Sequence, residues 1–72
     1  MPKLPAVKPK VIIKILKKAG FIHVRSKGSH FQFKKGNLLV TIHFHNKELK
    51  TETFRSILRQ AKMSIEEFNK FL

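Results

Sequence analysis

Apolar side chains recur with helical spacing near the start of the chain. Ile12, Ile15, Leu16 and Ala19 fall at i, i+3, i+4 and i+7, while Lys10, Lys14, Lys17 and Lys18 mostly take the other side. Pro9 suits a first helical turn, where its missing N–H costs nothing, and Gly20 suits the position just past a helix end. The pattern predicts a helix over roughly residues 9–19. Residues 1–8 have two prolines and no periodicity, and read as a flexible basic leader.

The period then changes to two. In Phe21–Arg25, Ile22 and Val24 alternate with His23 and Arg25; in Ser29–Lys35, Phe31 and Phe33 alternate with His30, Gln32 and Lys34. In Leu38–Phe44, Leu38, Val40 and Ile42 oppose Leu39, Thr41 and His43. Alternation in Phe, Val, Ile and Thr is the signature of strands. Lys27-Gly28 and Lys35-Gly36-Asn37 supply the turns between them.

A helical stripe returns at Phe54, Ile57, Leu58 and Ala61, with Thr51 placed as its N-cap. Ser64-Ile65-Glu66-Glu67 spells a capping box for a last short helix, whose Ile65, Phe68 and Leu72 are expected to return to the core. The predicted fold is α+β in the order α-β-β-β-α-α. Its helices should cover one face of a three-stranded antiparallel sheet and leave the other open.

Length and composition narrow this further. Seventy-two residues suit one small domain, 9–72, and the 42% hydrophobic content with seven Phe is enough to fold it. The chain has no cysteine, which removes disulfides, Cys-based zinc sites and thiol nucleophiles. The longest apolar runs, Val11–Ile13 and Leu38–Val40, fall far short of the ~18 residues that cross a bilayer. Met1-Pro2-Lys3-Leu4-Pro5 holds no signal-peptide core. A soluble, cytoplasmic protein with no membrane association is expected.

Charge changes the picture more. Sixteen Lys/Arg against four Asp/Glu give +12, and all four acids (Glu48, Glu52, Glu66, Glu67) lie after position 47. Residues 1–47 carry eleven basic side chains and no acidic one. Such density calls for a polyanion, and nucleic acid is the commonest in a cell.

If Ile22, Val24, Phe31, Phe33, Val40 and Ile42 face the helices, the open face displays His23, Arg25, His30, Gln32, Lys34, Thr41 and His43. Histidine is the side chain best suited to proton transfer near neutral pH. RNA cleavage needs a base for the 2′-hydroxyl and an acid for the departing 5′ oxygen, with cations to stabilise charge on the phosphate. Metal ligation by His43 and His45 is disfavoured, because no carboxylate lies in the strand that carries them. A Ser-His-Asp triad is excluded, since the chain has no Asp.

At Lys27-Gly28-Ser29-His30 the chain resembles the HicA family of small toxin ribonucleases from bacterial and archaeal toxin–antitoxin pairs. The likeness runs over roughly residues 9–68. It includes Ala19-Gly20-Phe21, Arg25, His45-Asn46-Lys47-Glu48-Leu49-Lys50, the Thr53–Ala61 helix and the Ser64-Ile65-Glu66-Glu67-Phe68 ending. Proline often stands in the family where this chain has His43, and leucine where it has Phe54. The resemblance implies a fold like a double-stranded-RNA-binding domain. It also implies metal-independent mRNA cleavage without a cofactor, and a HicB-type antitoxin that blocks the active surface. Its essential histidine maps onto His30.

Arg25, Lys27 and Lys34 are then the expected phosphate contacts. Ser29 either hydrogen-bonds phosphate or satisfies a strand end, and Gly28 is a turn glycine that could also admit the RNA backbone closely. His23, His43 and His45 are assigned to the surface or the fold, and the isolated chain is expected to be monomeric. The competing readings are a noncatalytic RNA-binding module on the same fold and a nucleoid- or ribosome-associated protein.

Overall fold

The computed structural model describes residues 6–72. Six elements follow one another: α1 (Pro9–Lys18), β1 (Ile22–Lys27), β2 (His30–Lys35), β3 (Leu38–His43), α2 (Thr51–Ala61) and α3 (Ile65–Lys70). The strands form one antiparallel sheet in the order β1-β2-β3. This is the α-β-β-β-α-α arrangement that the hydrophobic pattern predicts.

The helices bury the faces their spacing marks. Ile12, Ile15 and Leu16 of α1, all four stripe residues of α2, and Phe68 of α3 meet Phe33, Val40 and Ile42 from the sheet. Pro9 opens α1, which ends in a Schellman turn: Phe21 N–H donates to the Leu16 carbonyl (2.9 Å), and Gly20 holds φ +104° between them. The Lys35 ammonium donates to the exposed Ala19 carbonyl at 2.7 Å, so one lysine is committed to the fold. The capping box at Ser64 and Glu67 is present, with both reciprocal bonds made.

Several expectations are corrected. Thr51 is the first residue of α2; the N-cap is Lys50, and no side chain caps it. Leu72 is exposed, because α3 ends at Lys70 and Phe71 is the residue that turns back onto the core. Within the leader, Val7 is buried and its carbonyl accepts from the Leu49 N–H (2.9 Å), so residue 7 is anchored. Residues 1–5 of that expected leader lie outside the described residues.

The largest correction concerns β1. Ile22 pairs with Lys34 and His23 with Phe33, but the next pair is Arg25 with Gln32, leaving Val24 as the extra residue of a β-bulge. Ile22 therefore stands on the open face at 69% exposure, and Val24 is 50% exposed. His23 moves to the helix-covered side, where its ring lies 5.5 Å from Phe31 and 5.2 Å from Phe33. Its Nε2 lies within hydrogen-bond distance of both the Arg25 carbonyl (3.1 Å) and the Ser26 hydroxyl (2.7 Å). The imidazole thus closes the chain around the bulge. Apolar contact that Ile22 and Val24 would have made comes instead from Phe21, buried just ahead of the strand.

Candidate functional site

From Arg25 onward the strands return to the expected frame, and cross-strand pairing sorts the open face into rows. Lys27 stands opposite His30, and His30 opposite His43. One row further along are Arg25, Gln32 and Thr41; at the far end are Ile22, Lys34 and Leu39. Side chains in one row lie roughly 4.5–5.5 Å apart at Cβ and can act on a single group, whereas successive rows on a face are two residues apart along the strand. Each row holds one cation, and its company changes along the face: imidazoles beside Lys27 at one end, amide and hydroxyl beside Arg25 in the middle, and two aliphatic side chains flanking Lys34 at the other.

Local sequence explains why the Lys27–His30–His43 row lies beside a turn. Gly28 and Ser29 form the link between β1 and β2, with Gly28 at φ +59°. A Cβ added there would meet nothing within 4 Å, so the left-handed backbone alone calls for glycine. This link delivers Lys27 and His30 as its two flanking residues. The second link, Gly36-Asn37, sets the β2–β3 register and brings His43 level with His30.

The two imidazoles are stacked, with centroids 4.8 Å apart and planes 11° from parallel. Their spacing is held one residue further out, where Phe44 N–H donates to the Ser29 carbonyl at 2.7 Å. On the covered side of the same strand ends, Phe31 and Phe44 stack at 5.4 Å. The His30–His43 row is thus backed by an aromatic pair and a backbone bond. His45 completes the group, packing edge-on against His43 at 5.5 Å, and its Nδ1 accepts from the Lys47 backbone N–H (3.1 Å).

His45 lies beside His43, as the i, i+2 spacing of an extended chain gives, although β3 itself ends at His43. Even so, stacked rings carry their nitrogen lone pairs in parallel planes and do not converge on one ion. Among the described residues, no three His or Glu side chains converge to hold a metal.

The six residues singled out by sequence fall into two groups. Arg25, Lys27 and His30 line one open depression, with Gln32 and Thr41 completing its walls. Gly28 and Ser29 form the adjoining turn. Lys34 is exposed on the same face but two rows from His30, so it does not join that depression. Sequence reasoning put Gln32 and Thr41 on this face without assigning them to the site, and gave His43 no role in it.

The model of the HicA toxin of bacterial toxin–antitoxin systems matches residues 10–63. The chain belongs to the HicA toxin family. The match takes in α1 from its second residue, the whole sheet and α2, and so every residue of the Lys27–His30–His43 row. No curated protein matches the sequence. As a HicA toxin the chain is one half of a toxin–antitoxin pair, and an antitoxin is its implied partner. No helix among the described residues is long and apolar enough to cross a membrane.

Proposed function

We propose that this HicA toxin is a metal-independent endoribonuclease that cleaves mRNA in the cytoplasm, with His30 carrying a proton in the reaction. The observation behind this is the position of His30: exposed on the open sheet face, between Lys27 and His43, and sharing a depression with Arg25, Gln32 and Thr41. Cations beside an imidazole suit phosphodiester chemistry. The imidazole moves the proton, and Lys27 and Arg25 stabilise the negative charge that grows on the phosphoryl oxygens. The nucleophile is the RNA's own 2′-hydroxyl, so the protein needs no Ser or Cys nucleophile and no activated water.

Lys34, two rows away, holds the substrate strand by a further phosphate, and Gly28 and Ser29 let the backbone pass beside the turn. The HicB-type antitoxin inhibits by covering this face. Its contact surface is acidic, because it replaces RNA over Arg25, Lys27 and Lys34.

Incubating the purified toxin with a defined RNA in excess EDTA tests the reading. Fragments ending in 2′,3′-cyclic phosphate and 5′-hydroxyl are expected, and the matching DNA should stay intact. RNA that is bound but never cut, in EDTA or with divalent metal, would make this a noncatalytic RNA-binding module on the same fold.

A further inference from the structure

The His30–His43 stack has more structure behind it than a chance surface contact. The two residues are direct cross-strand partners, and the register that pairs them is set by a two-residue turn at one end and the Ser29–Phe44 backbone bond at the other. Both rings are on the open face and both residues are exposed. They differ in surroundings: His30 opens onto the depression with Arg25 and Lys27, whereas His43 opens onto a second one, lined by His45, Lys47, Glu48, Lys50 and Thr53. The pair therefore lies where the two depressions meet, with one imidazole on the border of each.

In-line cleavage places the attacking and leaving oxygens on opposite sides of phosphorus. Sites that clamp both oxygens with two metal ions hold those ions about 3.5–4 Å apart. Imidazoles 4.8 Å apart, each reaching ~3 Å by hydrogen bond, cover the same span. We propose that His43 is the second proton carrier of this site, paired with His30. The assignment rests on the endoribonuclease reading above.

One imidazole takes the 2′-hydroxyl proton as the 2′ oxygen bonds to phosphorus. The bond from phosphorus to O5′ then breaks, and the other histidine, protonated beforehand, gives its proton to O5′. The products are a 2′,3′-cyclic phosphate and a 5′-hydroxyl, and exchange with solvent returns both rings to their starting states. Lys27, across from His30, stabilises the phosphoryl charge between the two transfers. His45 is a positioning residue. Its Nδ1 accepts from the Lys47 N–H, which fixes the ring that packs edge-on against His43.

Two substrates separate proton transfer from mere support. On ordinary RNA, His43→Ala should lose about 10²–10⁴ in cleavage rate while still binding RNA, as expected for loss of a general acid or base. His43→Gln, which keeps a polar side chain but cannot relay a proton in this way, should lose as much. A substrate with sulfur at the 5′ bridging position has a leaving group that needs no proton. On it, the deficit of one variant, His30→Ala or His43→Ala, should shrink to within about tenfold while the other stays inactive. The rescued variant identifies the acid of the pair.

Wild-type cleavage rates in His43→Gln would overturn the proposal, as would an inactive His43→Ala with neither variant rescued by the sulfur substrate. Circular dichroism of both His43 variants should match the wild type. A wild-type protein that cuts no RNA would instead overturn the endoribonuclease reading, which keeps the two failures apart.

Discussion

The open sheet face and the outer face of α1 are both basic, yet they are built for different work. On α1, Lys10, Lys14, Lys17 and Lys18 are all exposed, with Ile12, Ile15 and Leu16 beneath them in the core. The open face has fewer cations, Arg25, Lys27 and Lys34, but it intersperses them with imidazoles, an amide and a hydroxyl held in cross-strand register. A helix surface spaces like charges along a ridge, whereas a sheet brings unlike groups from three segments side by side. Charge density therefore does not tell the two faces apart, and strand pairing does, since only the sheet sets cations, imidazoles, amide and hydroxyl side by side. Much of the +12 total lies away from that face.

The strongest way to break this contrast is at His30. Its exposed side chain stacks on the equally exposed His43 ring and not on the core, so His30→Ala should leave stability within the ~0.5 kcal/mol typical of surface substitutions. Cleavage should nevertheless fall by about 10²–10⁴, RNA binding should persist, and expression of the variant should no longer arrest growth. Removing the α1 lysines should leave the rate constant for cleavage of bound RNA unchanged. If α1 substitutions abolished cleavage and His30→Ala spared it, the two faces would have to exchange roles.

Antitoxin binding offers a second comparison. In the complex, the amides around the Lys27–His30 and Gly36–Asn37 turns should gain protection from hydrogen exchange, while those at the exposed lysines of α1 should not. A complex that leaves the open face unprotected and is still inactive would contradict inhibition by covering.

Salt dependence should separate the faces more gently. With about five phosphates neutralised, log affinity for an uncleavable RNA should fall against log salt with a slope of roughly −3.5 to −4.5. Neutralising Lys27 and Lys34 together should make that slope shallower by about 1.4–1.8 and weaken binding to all sequences alike. The same change at Lys14 and Lys18 should move it little. Equal effects at the two pairs would mean that RNA wraps both faces.

Most of the fold and part of the site are legible in the sequence, and the reason is local. The β2–β3 hairpin has strict alternation and a two-residue turn at Gly36-Asn37, so counting outward from the turn pairs Phe33 with Val40 and His30 with His43. The second imidazole was thus within reach of turn arithmetic. β1 resists the same treatment, because a bulge inserts one residue without changing residue types. Ile22-His23-Val24-Arg25 reads as perfect alternation, and Val24 looks like core. The bulge restores the frame by Arg25, so the error stays confined to residues 22–24 and the placement of Arg25 survives it. His45 was within reach of the same counting: two residues on from His43, it falls on the same side of the extended chain, although β3 ends at His43.

His23 provides the smallest effect and a sharp internal control. Like His30 it is an exposed histidine on the sheet, but its Nε2 is committed to the Arg25 carbonyl and the Ser26 hydroxyl, and its ring rests on Phe31 and Phe33. That commitment stabilises the bulge and leaves the nitrogen no part in chemistry on the other side of the sheet. His23→Ala should cost about 0.5–1.5 kcal/mol of stability, the worth of a net intramolecular hydrogen bond, measured by urea unfolding. Cleavage of bound RNA should change little, the reverse of the His30→Ala result. Ser26→Ala should fall at or below the same range, since the carbonyl bond of His23 remains. Should His23→Ala unfold normally and stop cleavage, the imidazole would belong to the site and the bulge would not be what holds it.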